Sequence, residues 1–94
     1  MIETARIDPD HNSVTVLVVD DMAANRSVLC RQLELNKYHA ISVESGEAAL
    51  ELLTRTRPDI VLLDYMMPNM NGIEVLRHLR SDPALIDLPV IMVT

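Results

Sequence analysis

Asp59-Ile60-Val61-Leu62-Leu63-Asp64-Tyr65-Met66-Met67-Pro68-Asn69-Met70-Asn71-Gly72 runs an apolar segment of strand length into a carboxylate, then into a loop rich in Met, Pro and Asn. A run that is apolar at every position suits a central strand of a parallel sheet, because helices cover both faces of such a sheet. Asn71, with Glu74 three residues on, has the form of a helix start. Asp64 stands where the strand leaves the sheet, either as a loop cap or as a reactive group. Carboxyl edges of α/β sheets are where ligands bind. A second run, Val16-Leu17-Val18-Val19-Asp20-Asp21, ends the same way and shifts the weight toward the reactive reading.

Outward from that centre, the chain alternates strand and helix. Residues 1–13 are polar, carry Pro9 and read as a flexible leader ahead of a domain over 14–94. Val14 to Asp20 is the first strand. Asp21 is placed to cap a first helix, in which Met22, Val28, Leu29 and Leu33 recur at helical spacing as far as Asn36. Ala40 to Val43 makes a second strand, and Ser45-Gly46 opens a second helix with Ala48, Ala49, Leu52 and Leu53 on one face, stopped at Arg57-Pro58. After the central strand 60–64 and the loop 65–71, a third helix from Gly72 carries Ile73, Leu76 and Leu79 until Asp82-Pro83. Val90 to Thr94 is the fourth strand.

This βαβαβαβ order implies an α/β fold with a parallel sheet and right-handed crossovers. Short strands joined by single helices suit a flavodoxin-like strand order, 2-1-3-4, with the switch point between strands 1 and 3. The first helix then lies on one face of the sheet, and the second and third on the other. Asp20, Asp21 and Asp64 converge on one crevice.

Composition narrows the function classes. Ninety-four residues make one small domain. Apolar residues reach 49%, with no Phe or Trp, so Leu, Ile, Val and Met fill the core. A net charge of −6 without a basic cluster argues against nucleic acid or an anionic membrane as a direct partner. No apolar run reaches membrane-span length and no secretory signal opens the chain, so a cytoplasmic location is expected. The lone Cys30 fits that compartment and reads as a packed thiol. His11, His39 and His78 lack ligand spacing, Met66, Met67 and Met70 read as loop packing, and Arg77 and Arg80 with Glu74 read as an exposed charged helix face.

Carboxylates crowded at one edge repel one another unless protonated or neutralised by a cation. Hard oxygen donors in a small site suit Mg²⁺, which accepts one or two carboxylates together with phosphate oxygens. A carboxylate beside such an ion can attack phosphorus and become an aspartyl-phosphate. Thr94, ending the fourth strand at the same edge, can offer its hydroxyl to a phosphoryl oxygen.

These residues carry a family resemblance. Val18-Val19-Asp20-Asp21, then Leu62 to Gly72, then Pro89-Val90-Ile91-Met92-Val93-Thr94 resemble, in order and spacing, the receiver domain of two-component response regulators. The resemblance implies that Asp64 is the phospho-acceptor. It implies that Asp21, Asp64 and the backbone carbonyl of Met66 bind Mg²⁺, with Asp20 acting mainly through water, and that Thr94 is the switch hydroxyl. The phosphoryl donor it implies is a phosphohistidine on a sensor histidine kinase. Such a domain is a phospho-acceptor module rather than an enzyme, and it serves an output domain elsewhere in a parent protein.

Receiver domains also have a fifth strand opening on a lysine, and a fourth and fifth helix, which this sequence does not match. Its only lysine, Lys37, falls at the amino edge, and Tyr65 lies in the wrong element to replace the family's aromatic switch residue. A truncated receiver is therefore expected, with an open strand 4 edge that drives homodimerisation or element swapping. The competing function is a binding-only pseudo-receiver or dimerisation module without phosphotransfer. An Asp-based phosphohydrolase is disfavoured because Met66 stands where a second Asp belongs, and a flavin site because no Ser/Thr/Gly-rich loop follows strand 1.

Overall fold

The computed structural model describes residues 14–93. Its elements run β1 (Thr15–Val19), α1 (Ala23–Leu35), β2 (His39–Val43), α2 (Gly46–Leu52), β3 (Ile60–Asp64), α3 (Gly72–Ser81) and β4 (Val90–Val93). The sheet is parallel, in the order β2-β1-β3-β4. The flavodoxin-like order expected from the alternation is the one observed. Val19 pairs with Leu63, and Asp64 with Val93, so β1, β3 and β4 finish side by side at one edge. The leader assigned to residues 1–13, and Thr94, lie outside the described residues.

Strand pleating divides the core between the faces of the sheet. Leu17, Val19, Val61 and Leu63 point to one side and join Ala49 of α2, Leu53 just after it, Val75 and Leu79 of α3, and Leu85 and Leu88 of the loop before β4. Val16 and Val18 are buried on the other side, beneath α1. Gly46 lets α2 approach α3: an added Cβ there would come within 2.6 Å of a Val75 methyl.

Several local expectations are corrected. Asp21 does not cap α1; the N-cap is Met22, which gives no side-chain cap, and the buried Asp20 accepts the Met22 N–H instead. No residue of α1 is buried, and Met22 and Val28 are exposed, because among the described residues no element packs on the outer side of this helix. Helix α2 stops at Leu52, well before Pro58, as turn bonds from Thr54 and Arg55 back to Glu51 and Leu52 close it. On α3 the inward positions are Val75 and Leu79 rather than Ile73, which is 37% exposed. Arg80 is not a free surface charge: its Nη1 donates to the carbonyls of Ile86 and Leu88, both at 3.0 Å, and clamps the α3–β4 loop.

Candidate functional site: an acidic cup at the carboxyl edge

Asp64 is the last residue of β3, and Asp20 and Asp21 follow directly on β1. Because the two strands are hydrogen-bonded neighbours, their carboxylates meet: one oxygen from each of Asp20, Asp21 and Asp64 lies within 4.8 Å of the others. The three differ in burial, with Asp20 buried at 6% exposure, Asp64 half-buried and Asp21 exposed. The crevice they share is also lined by Met22, Asn25, Val28, Met66 and Val93.

Each carboxylate is held differently. Asp64 Oδ1 accepts the Met66 N–H at 3.2 Å, which bends the loop back over the end of β3. The Tyr65 N–H donates to the Val93 carbonyl, and the Tyr65 carbonyl accepts from the Gly72 N–H, so the residue that follows Asp64 is tied down through both of its backbone groups. Asp20 Oδ1 accepts the Met22 N–H at 2.9 Å and Oδ2 accepts from the Asn25 amide at 3.3 Å. Arg26 Nη1 reaches the Asp20 carbonyl at 2.8 Å. Among the described residues no hydrogen bond holds the exposed Asp21 carboxylate, which leaves it available to a ligand.

Partial burial, more than any other influence, holds the Asp64 carboxyl above its ordinary value. The Met66 N–H opposes this, and the charges of Asp20 and Asp21 reinforce it. The cup thus carries an electrostatic cost that a divalent cation relieves. Its donor set, three carboxylates with hard oxygens inside a 4.8 Å span, fits Mg²⁺. Asp20 and Asp21 reach the cup as the sequence indicated, and Met66 sits in the same crevice. Thr94 lies outside the described residues. Lys37 precedes β2, at the opposite edge, as expected. Met67 and Met70 pack with the core, whereas Met66 is 70% exposed, and His39 and His78 are exposed.

Sequence reasoning missed Asn25 and Arg26 as supports of Asp20, and Gly72 as the residue that lets α3 start against the end of β3. The available signal was spacing: Asn25 and Arg26 fall about one helical turn after the acidic pair, close enough to fold back onto it.

Residues 16–94 match the family described as the response regulator receiver domain. The chain is 38% identical over 80 residues to the phosphate regulon transcriptional regulatory protein PhoB of Pseudomonas aeruginosa, covering 85% of this chain and 35% of that protein. It is 46% identical over 81 residues to the response regulator MprA of a Mycobacterium species, covering 86% of this chain and 34% of the relative. The chain thus spans about a third of the length of these curated relatives. Among solved structures, the N-terminal domain of a response regulator receiver protein from Methanoculleus marisnigri superposes with a TM-score of 0.86 at 46% identity, over 88% of this chain and 68% of the other. Sequence match, fold and acidic strand ends agree, and the chain belongs to the response regulator receiver domain family of two-component signalling.

Proposed function

We propose that this receiver accepts a phosphoryl group on Asp64 from a phosphohistidine of a sensor histidine kinase, in a Mg²⁺-dependent transfer. The observation that carries this reading is the meeting of Asp20, Asp21 and Asp64 within 4.8 Å at the end of the central strand, with the Asp64 carboxylate half-buried beside an open crevice. In the transfer an ionised Asp64 oxygen attacks phosphorus while the bond from phosphorus to the imidazole nitrogen breaks, and the electron pair leaves with the ring. Asp21, Asp64 and the Met66 carbonyl would hold Mg²⁺, with Asp20 acting through water. When bound, the ion supplies charge neutralisation to the cup and to the phosphoryl oxygens. The buried, doubly hydrogen-bonded Asp20 carboxylate suits that indirect role. The Tyr65 backbone ties and the Met66 N–H bond hold the loop that follows Asp64, so the chain's own contribution is positioning. Thr94, next in sequence after Val93, would supply the switch hydroxyl.

Residues 14–94 form the receiver unit in this reading, which acts as a cytoplasmic signalling module and passes its phosphorylation state to an output domain. Among the described residues no helix is long and apolar enough to cross a membrane. Strand β4 lies at an edge of the sheet, with one side of its backbone unpaired among the described residues, which supports self-association through that edge.

The test is Mg²⁺ and beryllofluoride binding, followed by labelling with acetyl phosphate. Saturable binding and a phosphoryl mass increment, both lost in Asp64→Asn, are expected. Absence of both in the unaltered chain would instead favour the binding-only pseudo-receiver or an inactivated fragment.

A further inference from the structure

We infer that Asn25 is a positioning residue for the Mg²⁺ site, holding the Asp20 carboxylate in the orientation the cup requires. The inference rests on the reading of the cup given above and goes beyond it, to a residue of α1. Asp20 is the most buried carboxylate of the three, and it lies on a short turn between β1 and α1. Its terminal torsion is intrinsically broad, so a single hydrogen bond does not fix where its oxygens point. The Met22 N–H takes Oδ1 at 2.9 Å, and the Asn25 amide takes Oδ2 at 3.3 Å. A carboxylate only accepts, so the amide must face it through nitrogen.

Arg26 adds a bond at 2.8 Å to the carbonyl of the same residue, so adjacent side chains of α1 grip Asp20 by side chain and by backbone. Asn25 is itself exposed and lines the crevice beside Asp21, Asp64 and Met66. It therefore contributes little to the core, which lets its effect on the site be separated from any effect on the fold. Loss of the amide releases Oδ2 and lets Asp20 turn out of the shared span. Outer hydrogen-bond partners of metal-binding groups typically change metal affinity by about 10- to 100-fold. Asp20 acts through water, so the lower end applies.

The experiment is calorimetric Mg²⁺ titration of the full chain, its Asn25→Leu and Asn25→Ala variants, and Asp64→Asn. Both Asn25 variants are expected to weaken Mg²⁺ binding about tenfold. The Mg²⁺ concentration for half-maximal beryllofluoride binding should rise by the same factor, with stoichiometry and metal-free melting temperature unchanged. Equal affinity in the unaltered chain and both variants overturns the inference while leaving the phospho-acceptor reading intact. So does a lowered metal-free melting temperature with unchanged affinity, since that is a structural role alone. If the unaltered chain fails to bind Mg²⁺, or binds it equally well in Asp64→Asn, the reading of the cup falls and takes this inference with it.

Discussion

A Cβ placed on Gly72 would stand 2.6 Å from the backbone carbonyl oxygen of Asp64, so the first residue of α3 and the last of β3 touch backbone to backbone. The Tyr65 Cα, at 2.9 Å from the same point, leaves no side chain to swing aside. The loop between Asp64 and α3 can close this tightly only because position 72 lacks a side chain. Gly72→Ala should therefore cost about 1–3 kcal/mol through overpacking against backbone. It should also weaken Mg²⁺ binding, because the displaced atoms belong to Asp64, a member of the acidic cup. Urea denaturation gives the first quantity and metal titration the second; an unchanged midpoint would show that the contact is relaxed elsewhere.

The raised Asp64 carboxyl makes a pH prediction whose sign is opposite to that of most acidic groups. Its folded-state value lies above the unfolded one, chiefly because of partial burial, so between the two the native state binds more protons. The Asp64 contribution to stability is present at low pH and is lost as pH rises through the folded value. At neutral pH the charged side chain is then a local penalty, and Asp64→Asn should melt higher than the unaltered chain without metal. That gap should close as pH falls toward the ordinary carboxylate value. Added Mg²⁺ should raise the melting temperature of the unaltered chain and leave Asp64→Asn where it was, and chelation should reverse the gain. Thermal scans across pH, with and without Mg²⁺, check both parts.

What could be read from the sequence follows the range of the interactions involved. The strand 60–64 and the Asn71 start of α3 depend on local pattern and local hydrogen bonds, and both stand as expected. The meeting of Asp20 and Asp21 with Asp64 follows from strand order, which the βαβ alternation restricts strongly. The cap assigned to Asp21 failed because Asp20, one residue earlier, turns inward and takes the Met22 N–H; single-residue phasing of a turn is not encoded in residue type. Arg80 was misjudged for another reason. Its helical spacing suggested an exposed face, but a long side chain can reach past its own helix to carbonyls in the next loop.

That reach sets the next prediction. Leu88 is fully buried, and its carbonyl takes its Arg80 bond at 3.0 Å. With the Ile86 carbonyl also bound, one guanidinium nitrogen orders the whole approach to β4. Arg80→Ala should lower stability by about 1–2 kcal/mol, the scale of charge-assisted hydrogen bonds to partly buried acceptors. Hydrogen exchange should show the loss concentrated in residues 85–90, with β1 and β2 protected as before. Equal loosening across the sheet would mean that Arg80 acts on the whole core rather than on this loop.

The capping box at Asn71 links the loop of the site to helix stability. Asn71 Oδ1 accepts the Glu74 N–H at 3.0 Å, and Glu74 Oε1 accepts the Asn71 N–H at 2.9 Å. Asn71→Ala removes the first bond and leaves a helical N–H without its acceptor, so a loss of about 1 kcal/mol is expected. Asn71→Asp keeps the acceptor and places a negative charge at the helix N-terminus, where the backbone dipole favours it, so it should cost much less. The two substitutions separate capping from any other role of the side chain. The Gly72 N–H, bonded to the Tyr65 carbonyl at 3.0 Å, lies beside the cap and reports on it directly. In Asn71→Ala its exchange should accelerate along with that of the loop 65–71, while the Leu79 amide at the far end of α3 stays protected. If Asn71→Ala and Asn71→Asp shift the denaturation midpoint equally, the side-chain oxygen is not what starts this helix, and the loop that presents Asp64 must be held by the Tyr65 ties and the Met66 N–H bond to Asp64.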